Sequence, residues 1–276
     1  MYRLIAIDLD GTLLHDDGTV SDRTIQYLNN LKGNYILVFI TGRNCKDAYR
    51  VTQLFNNEYI DKFIIYDDGQ TISKIGNDGN YNVLYESPIL DKSIVQNIAL
   101  WAQKMKYDYV VLSDNIFTFN NNCNIFKYAI LKMLYLCRQK FISRKFNKKI
   151  LENNNVKKIK IINFGKDCVD SVLNDVRVRF SDQYSVINDG EIEIKNLFAT
   201  KLTAIKKILS ILQIEDDDCF YFGNGGNDEE CLRYFSNSYA VSNAAERIIM
   251  AARNVIPSNN DDGVYQTLKE IVEERI

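Results

Sequence analysis

Short, unbroken apolar runs recur along the first part of the chain, each closed by a polar turn that contains glycine. The first covers residues 4–7 and meets Asp8-Leu9-Asp10-Gly11-Thr12. The second, Tyr35–Ile40, meets Thr41-Gly42-Arg43, and the third, 63–66, meets Asp67-Asp68-Gly69. Between them the apolar positions take helical spacing. Ile25, Leu28 and Leu31 follow Ser21-Asp22 and stop at Gly33. Ala48, Val51, Leu54 and Phe55 follow Thr41 and Asn44, either of which can cap a helix. Unbroken apolar strands suit a sheet covered on both faces. Strand and helix in alternation then predict parallel βαβ units.

The rhythm changes after about residue 80. The pattern predicts a strand at 81–85, a turn at Ser87-Pro88 and a helix over 91–105. Strands at 107–112 and Ile116–Phe119 flank a hairpin turn at Ser113-Asp114-Asn115. Residues 125–150 read as helix or loop rich in Lys and Arg. Then come a strand at 156–164, a helix at 168–175, and strands at 176–181 and Tyr184–Asn188. Near Glu191 the βα rhythm resumes, with a helix over 199–212 and a strand at 219–222 that meets Gly223-Asn224-Gly225-Gly226-Asn227-Asp228. A helix at 228–235, a strand at 238–241, a helix capped by Asn243 through Ala252 and a helix at about 264–274 complete the chain. The expected fold is α/β: a Rossmann-like parallel-sheet core of 1–81 plus 191–276, with an α+β domain of 82–190 inserted.

Composition narrows the partners. The 276 residues are 46% hydrophobic and 25% charged, ordinary for a soluble protein with a sizeable core. A net charge of -2 gives no reason to expect nucleic acid or an anionic membrane as partner. No apolar run approaches the roughly 20 residues of a membrane helix. Asp8 and Asp10 interrupt the first run too early for a signal peptide. Six cysteines form no C-x-x-C pair, so they are expected as buried apolar residues of a reduced, cytoplasmic protein.

The chemistry gathers in the polar turns. Asp8 and Asp10 lie two apart and point the same way on extended chain, while Leu9 points towards packing. Two adjacent carboxylates need an offsetting cation, and Mg²⁺ takes hard oxygen ligands. Gly11 lets the chain turn sharply. Alone, this segment reads equally well as a polar turn after a strand. Ligands of open parallel sheets bind at the strands' carboxyl ends, so four such turns around one edge make a site.

These motifs resemble the haloacid dehalogenase superfamily, in its Cof-type branch with a class IIB α/β cap. The resemblance rests on Asp8-Leu9-Asp10-Gly11-Thr12-Leu13-Leu14, Ile40-Thr41-Gly42-Arg43, Lys201, Gly223-Asn224-Gly225-Gly226-Asn227-Asp228, and Asn243-Ala244 with Asp262-Gly263-Val264. It spans essentially the whole chain and implies a Mg²⁺-dependent phosphatase of small phosphorylated metabolites, such as sugar phosphates or phosphorylated cofactors. By resemblance, Asp8 is the nucleophile that becomes an aspartyl phosphate, and Asp10 the general acid and base. Thr41, Gly42, Lys201 and Asn227 would hold the phosphoryl group. Asp8, the Asp10 carbonyl, Asn224 and Asp228 would hold the metal. The cap would act as a lid and set substrate choice.

One position departs from the pattern. Where the family usually has Gly-Asp, this chain has Gly223-Asn224. An amide oxygen can ligate Mg²⁺ but carries no formal charge. The reading adopted is that Asn224 ligates and Asp228 supplies charge; weaker metal binding or an impaired enzyme are the others. A phosphomutase and a catalytically weak phosphometabolite sensor are the alternative functions. His15 reads as a loop residue in solvent or near substrate. The basic stretch of Arg138, Lys140, Arg144, Lys145, Lys148 and Lys149, continued by Lys157, Lys158 and Lys160, reads as a solvated face. Tyr107, Tyr109, Phe117 and Phe119 read as core.

Overall fold

The computed structural model describes residues 3–113, 116–119, 141–143, 155–163, 168–180, 184–188 and 192–273. They form two compact units, 1–87 with 199–276, and 88–198.

The first unit is built on strands β1 (Arg3–Asp8), β2 (Tyr35–Ile40), β3 (Asp61–Tyr66), β4 (Thr71–Ile75), β5 (Tyr81–Glu86), β12 (Cys219–Gly223), β13 (Asn237–Val241) and β14 (Asn254–Ile256). Their order in the sheet is β14-β13-β12-β1-β2-β3-β4-β5. Pairing is parallel from β14 to β3, and β4 and β5 add antiparallel. Alternate residues feed two cores. Ile5, Ile7, Phe39, Ile64 and Phe222 pack on one face. Leu4, Ala6, Val38, Phe63 and Tyr221 pack on the other. This is why the strands read as continuous apolar runs. Each such side chain contributes about 1.5–3 kcal/mol on burial.

Helices α1 (Asp22–Asn30) and α2 (Cys45–Thr52) begin at Ser21 and Asn44, whose side chains accept from the Thr24 and Asp47 N–H groups. Further along the same unit lies the helix Lys201–Leu212, here α5, which starts with a capping box of Thr200 and Thr203 and ends at Gln213 in the left-handed region. The short helices α6 (Glu229–Tyr234) and α7 (Glu246–Ile249) and the last helix α8 (Gly263–Glu273) complete it.

The second unit carries β6 (Asp108–Ser113), β7 (Ile116–Phe119), β8 (Phe141–Ser143), β9 (Val156–Asn163), β10 (Tyr184–Asn188) and β11 (Ile192–Asn196), in the order β10-β11-β9-β6-β7-β8. All pairs are antiparallel except β7 with β8. Helices α3 (Lys92–Met105) and α4 (Val169–Phe180) supply Val95, Ile98, Ala99, Val172 and Val176 to a core with Tyr109, Ile159, Ile161 and Ile194. The fold is thus α/β with an inserted α+β unit.

Several expectations are corrected. The boundary expected after residue 81 falls inside β5, which pairs with β4. The boundary expected after 190 precedes β11, which pairs with β9 and β10 and not with the first sheet. Residues 176–180 continue α4, because Val172, Leu173 and Val176 bury at helical spacing although the Val-Arg-Val-Arg run alternates like a strand. Asn243 caps no helix; α7 starts after Ala245, and the Asn243 amide donates to Asn259. Cys45 and Cys168 are exposed, while Cys219 and Cys231 are buried. Tyr107 and Tyr109 are core, as expected. Lys158 and Lys160 form ion pairs with Glu193 across the sheet and are not a free basic face. Asp114, Asn115, the side chains of Phe117 and Phe119, Cys123, Cys137 and the basic residues 138–149 lie outside the described side chains, and of 125–150 only strand β8 is described. No described helix is long and apolar enough to cross a membrane.

Candidate active site

Asp8 is the last residue of β1, at the centre of the first sheet and at its carboxyl edge. It is 4% exposed. Lys201, the first residue of α5, donates to Asp8 Oδ1 at 2.6 Å and to Asp228 Oδ1 at 2.7 Å, with its own side chain fully buried. Gly69 makes this approach possible. It has φ +101°, and a Cβ there would lie 2.2 Å from the Thr200 carbonyl oxygen. Only glycine lets the turn after β3 meet the start of α5 so closely.

Asp228 is wholly buried and accepts from four groups. Lys201 and the Tyr221 hydroxyl take Oδ1, and the backbone N–H groups of Asn224 and Gly225 reach Oδ2 at 3.0 and 2.8 Å. Both oxygens are therefore occupied. Asp228 anchors the lysine and the 223–228 turn. With both carboxyls ionised, one ammonium leaves the buried trio with a surplus negative charge. Burial pushes the Asp8 pKa up to about 8, against the pull of Lys201, with Asp228 adding to the rise. Burial opposes the charge on Lys201, but Asp228 and then Asp8 carry its pKa above the ordinary lysine value.

Asp10 leaves the strand direction and sits at the rim, its side chain 57% exposed. Arg43 clamps it, with Nη2 2.6 Å from Oδ1 and Nε 2.9 Å from Oδ2. Thr41 is buried, accepts from the Arg43 N–H at 3.1 Å and lies 3.5 Å from Asp10 Oδ2. Gly42 is exposed, and a Cβ there would lie 2.8 Å from Asp68 Oδ1. The same Asp68 oxygen accepts from Asn227 Nδ2 at 2.8 Å, so the Asn227 amide is engaged with the neighbouring turn. Asn224 lies against the first turn. A Cβ on Gly11, which has φ +76°, would be 2.3 Å from Asn224 Nδ2, and Thr12 Oγ1 donates to Asn224 Oδ1 at 3.2 Å. His15 pairs with Asp262, at 2.8 Å, and points to no catalytic group.

The model of the haloacid dehalogenase-like hydrolases matches residues 5–268. This chain belongs to that family. A phosphatase-named protein of Buchnera aphidicola subsp. Schizaphis graminum is 31% identical over 96% of the chain and 93% of its own length. The 5-amino-6-(5-phospho-D-ribitylamino)uracil phosphatase YbjI of Escherichia coli K12 is 21% identical over 98% and 96%. Among solved structures, the HAD subclass IIB sugar phosphatase BT4131 superposes with a TM-score of 0.73 at 18% identity, covering 98% of each chain. That last likeness concerns the fold.

As a haloacid dehalogenase-like hydrolase the chain is an enzyme, and its motifs converge on one sheet edge. Its donor set fits a hard cation. Among the described residues no cluster of three or more His, Cys, Asp and Glu forms a cage. Mg²⁺ needs none, because it is held by one or two carboxylates and keeps waters for the remaining positions. Asp8 Oδ2 accepts no hydrogen bond from the described residues, and the Asn224 amide lies beside the same turn. The surplus negative charge of the trio favours a cation there.

Arg43, Tyr221 and Asp68 belong to the site although the sequence reading gave them no role. Arg43 directly follows Thr41-Gly42, and Asp68 stands in one of the polar turns, so both carried a signal. Tyr221, inside an apolar strand, carried none.

Proposed function

We propose that this enzyme is a Mg²⁺-dependent phosphatase of small phosphorylated metabolites, sugar phosphates or phosphorylated cofactors. The observation that carries the reading is Asp8, held at one oxygen by a buried lysine and open at the other. Asp8 Oδ2 attacks phosphorus and the ester P–O bond breaks, leaving an aspartyl phosphate. Asp10, turning from Arg43, gives the leaving alcohol its proton. Asp10 then takes a proton from the water that attacks phosphorus, which releases phosphate and restores the Asp8 carboxylate. Lys201 neutralises charge as it builds on the phosphoryl oxygens. The exposed Gly42 backbone supplies a further contact for them, with Thr41 fixing that turn. Mg²⁺, held by Asp8, the Asp10 carbonyl and Asn224, would lower the Asp8 pKa and polarise the phosphoryl group. The inserted unit sets substrate choice. The ribitylaminouracil phosphatases among the sequence relatives support the substrate class.

Turnover of p-nitrophenyl phosphate tests this. Activity should vanish with EDTA, return with Mg²⁺ and be absent in Asp8→Asn. An Asp8→Asn enzyme that still turns over would overturn the reading. Asn224 favours a second reading, a phosphometabolite sensor, which predicts saturable binding of phosphorylated metabolites without turnover.

A further inference from the structure

The catalytic edge leaves unexplained a second ionisable side chain, buried at the opposite end of the same sheet. Lys62 stands at the start of β3, whose far end leads into the Asp67-Asp68-Gly69 turn of the active site. It is 2% exposed. An ammonium carries three donors, and buried lysines are ordinarily paired with a carboxylate. Among the described residues Lys62 donates only to the backbone carbonyl of Asn57. No described carboxylate pairs with it; burial lowers its pKa and the exposed Glu58 acts on it only through space.

Lys62 lies in the wall of a cleft of about 390 Å³. The other walls come from α2, from the segment that follows it, and from the β4–β5 hairpin. Tyr49 and Tyr81 meet edge to face there, their centroids 5.2 Å apart, and Phe55 lines the floor. The Thr52 hydroxyl pairs with that of Tyr81, which fixes the ring. Asp78 also borders the cleft, but both its oxygens accept from Asn80, at 3.0 and 2.7 Å. The volume falls within the range of small-molecule sites, and the lining combines aromatic side chains with polar groups and a buried cation.

We infer that this cleft binds a small aromatic carboxylate, its charge on Lys62 and its ring against Tyr49, Phe55 and Tyr81. A carboxylate there would complete the hydrogen bonding of the ammonium and offset the cost of burying it. The site lies away from Asp8 and does not depend on the reaction assigned to it.

Benzoate is the probe, followed by NMR on the full chain at the backbone amides of Gly76, Gly79 and Tyr81, which border the cleft. Saturable shifts are expected in the wild type. Lys62→Met should weaken the affinity about tenfold or more, as loss of a charge-assisted hydrogen bond requires. Tyr49→Trp, which keeps the ammonium but fills the cleft, should abolish the shifts, and it serves if Lys62→Met fails to fold. Absence of saturable shifts in the wild type overturns the inference. So does undiminished affinity in either folded variant.

Discussion

Replacing Lys201 with methionine tests the electrostatics of the site most directly. The Lys201 ammonium lies 2.6 Å from Asp8 and 2.7 Å from Asp228, and it is the only described cation bonded to either carboxylate. Methionine keeps the length and most of the apolar stem, so the packing of Thr200 on Gly69 survives. The variant leaves two like charges buried without a partner cation. Removing one partner of a buried ion pair costs about 3–5 kcal/mol. At about 2–4 °C per kcal/mol for a chain of this size, melting should fall by about 6–20 °C. The fall depends on pH. Burial already pushes the Asp8 pKa up to about 8 against the pull of Lys201, and losing the lysine charge raises it further. A carboxyl raised on folding costs stability as pH climbs from its unfolded value towards its folded one, so the variant's extra penalty is larger at pH 8 than at pH 5, where protonation relieves it. Melting curves of both proteins by circular dichroism at the two pH values give the answer. A fall of less than about 2 °C at pH 8, or an equal fall at both, would refute the reasoning.

Arg43→Ala frees Asp10 from its clamp, and kcat for p-nitrophenyl phosphate should fall about tenfold or more with little change in KM, the signature of a mispositioned acid and base. Gly69→Ala places a Cβ against the Thr200 carbonyl at a backbone angle that disfavours it; unfolding in urea should show a loss of about 3 kcal/mol or more. Asn224→Asp adds a charged oxygen beside Asp8, and calorimetric titration should show Mg²⁺ binding at least about tenfold tighter, the effect of one added formal charge in a partly buried site.

Strands β1, β2, β3 and β12 were legible because they are buried on both faces and read as apolar blocks. The polar turns at their ends were legible for the same reason, since a block that stops abruptly marks where the strand meets the site. β4 and β11 were not. Thr71, Ser73, Glu193 and Lys195 are polar yet buried in these strands, so no apolar run marks them; Glu193 is held there by Lys158 and Lys160. Asp8, Asp10 and Lys201 were found from their motifs, and the structure joins Asp8 with Lys201. The hold of Asp228 on Lys201 and on the N–H groups of its own turn was not legible, because spacing alone does not say which groups a carboxylate meets. Arg43 went unassigned because its partner, Asp10, lies on a different strand end.

The position of β1 between β2 and β12 has a consequence during synthesis. Leu4 to Ile7 pair on one side with β2, but on the other only with residues 219–222. A nascent chain therefore leaves the ribosome with one margin of its first apolar strand bare. At about 5–20 residues per second, the wait for β12 is on the order of ten to forty seconds. Over that interval the growing polypeptide carries an open template for pairing with its neighbours on a polysome, and slow translation or a chaperone shortage would show first as aggregation of chains truncated before residue 219.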